Sequence, residues 1–351
     1  MKSKPDSFLR QRKLGFLAVC WYLAAFLLLT LPVLTGCSLI TSLLQRETEA
    51  NFAVRSEKGY GVMNCKGEWL IEPIPKMEGM LIGSMSDGWV PILLIADNEY
   101  SYINKAGELI SKERYDYALP FSEGLAAVRV DEEWGFINTK GEVAISPRYL
   151  GNTIGSFKEG LANVGIEANN FGLVSSWIFI DKQGKKVLGP YLNAGPFSDG
   201  YASVTTFIKD RNFQTGFIDK EGSFVLAFDA DDDYHPSGSY GEGLFPVIDI
   251  QLQLEQGICS RGYMDKNGDW VIEPQYCVVG PFHDGLAPVS ISATTPLLWG
   301  AINKEGEMVI PAEYETIDIF SGGCSRVIWD GFNSMGLINT QGEIIYQYSN
   351  K

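Results

Sequence analysis

Five carboxylates stand immediately before a glycine at matching points along the chain. They are Glu123, Glu159, Asp199, Glu242 and Asp284, in FSEGLAAV, FKEGLANV, FSDGYASV, YGEGLFPV and FHDGLAPV. Acids that recur at one position of a repeat can form a ring, and a ring of carboxylates can bind cations or a basic partner. Tight turns select polar residues at such positions in any case, and the repetition itself favours that structural role. DADDDYH (229–235) gives Asp229, Asp231 and Asp233 the spacing of the first three ligands of a calcium loop. However, Tyr234 stands where the turn glycine belongs and Tyr240 where the bidentate Glu belongs. It reads as an acidic loop between units. The two histidines, His235 and His283, fall in different units, and His283 occupies a variable polar slot of FHDG. No GxSxG, HExxH, phosphate-loop or dinucleotide fingerprint is present. The residues therefore predict no catalytic group, cofactor or metal.

Aromatic residues are the other candidates, because Trp and Tyr faces can stack on sugars. Trp134, Trp177 and Trp299 open a strand, and Trp69 and Trp270 lie two residues after a turn glycine. An aromatic at a fixed strand position belongs between sheets, given the area it buries. Trp89 and Trp329 fall outside that spacing and are the expected exposed, ligand-binding aromatics.

The elements that position these residues are repeated. An Asn or Asp three residues before a glycine recurs as NCKG (64–67), NKAG (104–107), NTKG (138–141), DKQG (181–184), DKEG (219–222), DKNG (265–268), NKEG (303–306) and NTQG (339–342). It alternates with the acid–glycine marker, also visible in SDGWVPI (86–92). Together they define eight units from about residue 52 to 346. Asn suits the first position of a type I turn and Gly a left-handed closing residue, so each marker predicts a hairpin. Strands such as WGFI (134–137) enter the turn, and strands such as EVAI (142–145) leave it. Pro73, Pro147, Pro274 and Pro311 are expected to end the leaving strand, since proline has no ladder donor. Tyr149, Tyr276 and Tyr314 then return to the core. LAAV-type segments supply a third strand, and stretches such as TIDIF (316–320) a short fourth. One unit cannot bury its own sheet faces, so units must stack. The fold class is all-β: eight tandem units of three to four strands in a propeller-like ring, with an open superhelical stack as the alternative.

This pattern resembles the WG-repeat (KWG-repeat) proteins found widely in bacteria. Trp134–Gly135 and Trp299–Gly300 keep the pair. Tyr60–Gly61, Thr215–Gly216, Arg261–Gly262 and Met335–Gly336 replace its Trp, and Trp177 lacks the Gly. The resemblance covers residues 52–351. It implies architecture rather than activity, because members mostly have no assigned biochemical role.

The N-terminus gives a location. Lys2, Lys4, Arg10, Arg12 and Lys13 precede an uncharged run, LGFLAVCWYLAAFLLLTLPVLT (14–35). This is the order of a signal peptide, although the run could also span a bilayer as a retained anchor. LTGC (34–37) resembles the bacterial lipoprotein box. That resemblance implies cleavage after residue 36, lipidation of Cys37, and a short linker (37–51) leading to the repeats. Each buried acyl methylene contributes about 0.8 kcal/mol, so two or three chains hold a protein firmly on a bilayer. The expected location is outside the cytoplasm, on a bacterial outer membrane or the outer face of the plasma membrane. With Cys20 in the leader and Cys37 lipidated, Cys65, Cys259, Cys277 and Cys324 remain. They allow three disulfide connectivities. Cys259 and Cys277 flank the DKNG turn almost symmetrically, and a cross-strand disulfide and two buried thiols are equal alternatives there.

The formal net charge is −15, and five of the 28 basic residues lie ahead of residue 37. So acidic a remainder repels phosphate backbones and excludes nucleic acid as a partner. The sequence therefore describes a lipid-anchored repeat module that binds a protein or a cell-envelope glycan rather than an enzyme. The alternative is a propeller-type glycan hydrolase using the repeat-borne carboxylates, which needs two acids about 5–10 Å apart in one pocket.

Overall fold

The turn sequences build the sheets. In NTKG, Asn138 Oδ1 accepts from the N–H groups of Lys140 and Glu142 at 2.9 and 3.0 Å, and Gly141 N donates to Asn138 O at 2.9 Å. Gly141 closes the turn at φ +78°, a left-handed angle that costs glycine little. Glu133–Asn138 enters this turn and Val143–Tyr149 leaves it. The acid–glycine turn is tighter. Glu123 (φ +56°) and Gly124 (φ +85°) are both left-handed, the signature of a type I′ hairpin, where the sequence pointed to a left-handed glycine alone.

The computed structural model describes residues 50–349, apart from 75–78, 82, 95–96, 152–153, 169–173, 209–211, 230, 257–258, 293–296 and 332. The leader, its cleavage site, Cys37 and most of the linker lie outside the described residues. The described residues form eight small antiparallel sheets, of three or four strands each, within 51–74, 79–103, 117–149, 162–191, 193–229, 234–276, 278–314 and 316–349. They are called the first to eighth sheets below. Strand order follows chain order within each sheet, so the leaving strand lies at the edge.

Gly135 shows why the pair ends in glycine. A Cβ there would lie 2.6 Å from Ile145 O and 2.7 Å from Pro147 N, a distance no side chain tolerates. Gly61 and Gly336 face Ile71 O and Tyr346 O in the same way. In the fourth sheet Ile178 follows Trp177, and the glycine has moved to the facing strand: a Cβ on Gly189 would meet Trp177 O at 2.8 Å. The close approach comes from a bulge in the leaving strand, whose register shifts between Ile145 and Tyr149. Pro147 sits inside that shift. Pro73, Pro147, Pro274 and Pro311 therefore do not end their strands, which run on to Ile74, Tyr149, Tyr276 and Tyr314. At a bulged sheet edge no partner asks for the missing N–H.

The core is eight layers, each shared by two neighbouring sheets. Ala127, Phe136 and Ile145 of the third sheet meet Val164 and Ile180 of the fourth, with Phe157 between them. Each of the larger ones, such as Phe136, Phe157, Ile145 and Ile180, stabilises the fold by roughly 1.5–3 kcal/mol on full burial. The last layer joins Phe52, Val54 and Met63 of the first sheet to Cys324 and Leu337 of the eighth. The sheets therefore close into a β-propeller ring, and the open stack does not hold.

Candidate functional site

The repeated carboxylates are brought together, but as a chain of contacts rather than a free cluster. Asp87 accepts from Gly124 N at 2.8 Å, Glu123 from Gly160 N at 3.0 Å and Glu159 from Gly200 N at 3.0 Å. Asp199 accepts from Glu242 N at 3.0 Å, Glu242 from Gly285 N at 3.2 Å and Asp284 from Gly323 N at 2.8 Å. Each acid thus caps the turn of the next sheet. Asp87 is a sixth member that the five-acid pattern missed, and SDG in SDGWVPI was its signal. Lysines of the N/D-x-x-G turns add ion pairs: Lys182 with Glu123 at 3.1 Å, Lys220 with Glu159 at 2.8 Å and Lys304 with Glu242 at 3.0 Å. Partial burial works against ionisation of Glu159, but the Lys220 ammonium and the Gly200 N–H outweigh it and hold the carboxyl below its usual range. Glu242 is held low in the same way, with Lys304 and Gly285 N–H overcoming burial.

The chain of acids breaks at one turn. In SGGC (321–324) Gly322 stands where the others carry an acid, and a Cβ there would lie 2.7 Å from Ala50 Cβ.

Other candidates are used locally. Asp232 accepts from Asp229 N at 2.7 Å, and Gln214 donates to Asp229 Oδ1 at 2.9 Å. No group of three or more His, Cys, Asp or Glu converges as a metal site among the described residues. The His235 ring meets the Phe213 ring edge-on at 6.2 Å, and His283 Nδ1 lies 3.4 Å from Asp284 Oδ1. Trp89 and Trp329, the expected ligand-binding aromatics, are half-buried, each with one side against inter-sheet core. Trp329 covers Gly336, whose missing Cβ would lie 3.1 Å from its ring. Cys259 pairs with Cys277 in a disulfide, the pairing that the flanked turn suggested, and Cys65 pairs with Cys324.

Among the described residues, open cavities lie between sheets. One of about 310 Å³ separates the seventh and eighth sheets and is walled by Tyr314, Trp329 and Tyr346, with Glu313 and Gln347 also lining it. A more polar one of about 370 Å³ lies between the eighth and first sheets, beside Trp69, Glu72 and Tyr348. A third of about 430 Å³ is lined by Leu119, Asn163 and Trp177.

The family model described as WG containing repeat matches residues 100–134, 134–167, 262–292 and 299–328. Four segments of the chain therefore match this repeat. No curated protein matches it by sequence. Among solved structures it is similar to a crystal structure of the eukaryotic initiation factor, at 11% identity over 86% of this chain and 96% of that one, with TM-score 0.49. It is similar also to apo AztD from Citrobacter koseri (13% identity, 85% and 94% covered, TM-score 0.45). A third is dihydro-heme d1 dehydrogenase NirN in complex with DHE (9%, 86% and 73%, TM-score 0.49). Likeness at this level carries neither ligand nor activity.

The tryptophans that open a strand are packing residues. Trp134 is 2% exposed and its Nε1 donates to Gly151 O at 2.9 Å. Trp299 and Trp177 are half-buried against the neighbouring sheet. Buried tyrosines extend the pattern. Tyr276 donates to Gly306 O at 3.2 Å in the next sheet's turn, and burial pushes its hydroxyl pKa up.

Proposed function

We propose that this WG-repeat ring is a binding or scaffold module for a protein or cell-envelope glycan, held outside the cytoplasm by a lipid on Cys37. One observation carries the non-enzymatic reading: the six repeat-borne carboxylates each accept a backbone N–H of the neighbouring turn, and three are also paired with lysines. A hydrolase needs one acid free to donate and one free to attack or activate water, whereas these acids are engaged in joining sheets. Two disulfides suit an oxidising compartment, which supports the extracytoplasmic location. LTGC after a basic-apolar leader supports the anchor.

Affinity capture from a detergent-solubilised envelope, with wild type and Cys37→Ser side by side, tests this. Wild type incorporates labelled palmitate and retains a specific partner, while Cys37→Ser remains an unlabelled, uncleaved precursor. Labelling of the mutant, or its absence in wild type, removes the anchor. Glycan turnover by the purified protein that is lost in Glu159→Gln would replace the module with the hydrolase.

A further inference from the structure

The cavity between the seventh and eighth sheets is walled by Tyr314 and Trp329, whose rings meet edge-on at 6.0 Å, with Glu313 beside them. Both aromatics are half-buried. Tyr346 also borders the cavity, but its ring packs edge-on against Trp69 and its hydroxyl donates to Arg55 O, so its faces belong to the eighth–first seam.

The residue before the tyrosine of the leaving strand varies: Arg148, Pro190, Gln275 and Glu313 precede Tyr149, Tyr191, Tyr276 and Tyr314, which share a register opposite Trp134, Trp177, Arg261 and Trp299. The charge is opposite in the third and seventh sheets. Between the third and fourth sheets the Arg148 guanidinium lies over the Tyr149 ring, 5.1 Å from its centroid, and donates to Gly184 O at 3.0 Å. A cation of the chain itself thus occupies that junction. At the junction of the seventh and eighth sheets the same position is an exposed carboxylate that no cation pairs with among the described residues.

We propose that this cavity binds a cationic head group, an alkylammonium or guanidinium, carried by a basic peptide segment or a polyamine. Three contributions have the same sign. The faces of Tyr314 and Trp329 attract a cation through their quadrupoles. Glu313 adds a full charge at the lining. The chain's net charge of −15 raises the local concentration of polycations. The ring uses the same chemistry internally elsewhere, with Arg55 over Tyr348 at 5.3 Å and Arg129 over Trp134 at 5.8 Å. An anionic ligand is opposed by all three contributions, and a neutral sugar gains from the aromatic faces alone. At about 310 Å³ the space is at the small end for a ligand pocket, so it takes a head group rather than a whole ligand. The proposal rests on the binding-module reading and gives it a ligand class.

The test is titration of the detergent-solubilised full chain with spermidine, a hexa-arginine peptide and cellohexaose, followed by calorimetry and tryptophan fluorescence. Saturable binding of spermidine or hexa-arginine is expected, and the stronger of the two identifies the source. Glu313→Gln, which keeps shape and removes charge, weakens it about five- to tenfold. Glu313→Arg, which places a guanidinium where the third sheet has one, abolishes it with the melting temperature unchanged. If Glu313→Arg does not fold, Glu313→Gln decides. Equal cation affinity in wild type and the folded variants would mean diffuse attraction to an acidic surface and would sink the proposal, as would no cation binding at all. Cellohexaose binding that is lost in Trp329→Ala, without cation binding, would overturn this ligand class and leave the module reading intact. A protein that captures no partner and binds none of the three probes would overturn both.

Discussion

The ring joins its sheets in two different ways. From the second sheet to the eighth, each neighbour is held by one carboxylate on one backbone N–H, over a shared apolar layer. Between the first and second, Asn51 plays that part, accepting from Met85 N at 2.6 Å and donating to Met85 O at 2.9 Å. Between the eighth and first there is no such contact among the described residues, because Gly322 replaces the acid and Ala50 occupies its space. Among the described residues no strand crosses this seam either, as each sheet is built from its own stretch of chain. It is held by the Cys65–Cys324 disulfide, across 259 residues, and by Tyr346 and Arg326 donating to Arg55 O and Ala53 O at 2.8 and 3.2 Å. Consecutive sheets are tethered by a short loop, so a weak contact suffices. The first and last must overcome the closure entropy of nearly the whole ring, and a covalent bond constrains the unfolded chain as well.

The harshest way to break this contrast is to end the chain after Ile319. That removes most of the eighth sheet and with it two interfaces and the disulfide, and it bares apolar faces on both neighbours. Loss of cooperative urea unfolding, or of solubility, is expected; a soluble variant with one sharp, slightly weaker transition would count against the closed ring. Next, Cys65→Ser with Cys324→Ser should cost about 2–5 kcal/mol in urea unfolding, and more than Cys259→Ser with Cys277→Ser, whose loop is far shorter. Equal losses would mean that closure does not depend on the covalent link.

A change inside one sheet sets the scale. Gly141→Val should lower stability by on the order of 1–3 kcal/mol through its positive φ, while Lys140→Val in the same turn changes little. Equal melting temperatures would remove the bulged-hairpin assignment.

The smallest effect separates the two kinds of seam by pH. Glu159 and Glu242 are held below their ordinary value of 4.5 in the folded ring. Between that value and the depressed folded one, the unfolded chain binds more protons, so stability present above pH 4.5 falls as pH drops through the window. Thermal melts should weaken below about pH 4.5 and should weaken less in Glu159→Gln with Glu242→Gln. An unchanged pH profile in that double variant would dismiss the carboxylate seams as the source.

The turns were legible in the sequence because their rules are local: Asn138 and Gly141 lie three residues apart and define one hairpin. The contacts between turns were not. Glu123 and Gly160 each read as turn residues, but nothing in either segment says that they touch. The hint was Glu itself, a poor left-handed residue retained where a type I′ turn alone would favour Asn or Gly. Pro147 was misread because its missing donor was weighed without knowing that the strand is an edge with a bulge. Cys65–Cys324 lay beyond reach, since four cysteines pair three ways and only ring closure brings those two together. In the candidate site, Trp329 was singled out by its spacing, but its charged neighbour Glu313 stood out only once strand register set it beside Arg148.

The bulged, proline-bearing edge strands have a further consequence. Several expose large apolar side chains to water, among them Val143 at 64%, Val271 at 48% and Met308 at 40%. Flat edges with such residues would template a strand from another molecule and seed aggregates. Bulges and prolines at Pro147, Pro274 and Pro311 spoil that template, which keeps rings apart at high concentration. Two of the leaving strands, Phe224–Asp229 and Ile344–Ser349, contain no proline and carry one register shift each. The second also exposes Ile344 at 57%, so an edge open to pairing with a foreign strand lies directly beside the seam where the ring closes.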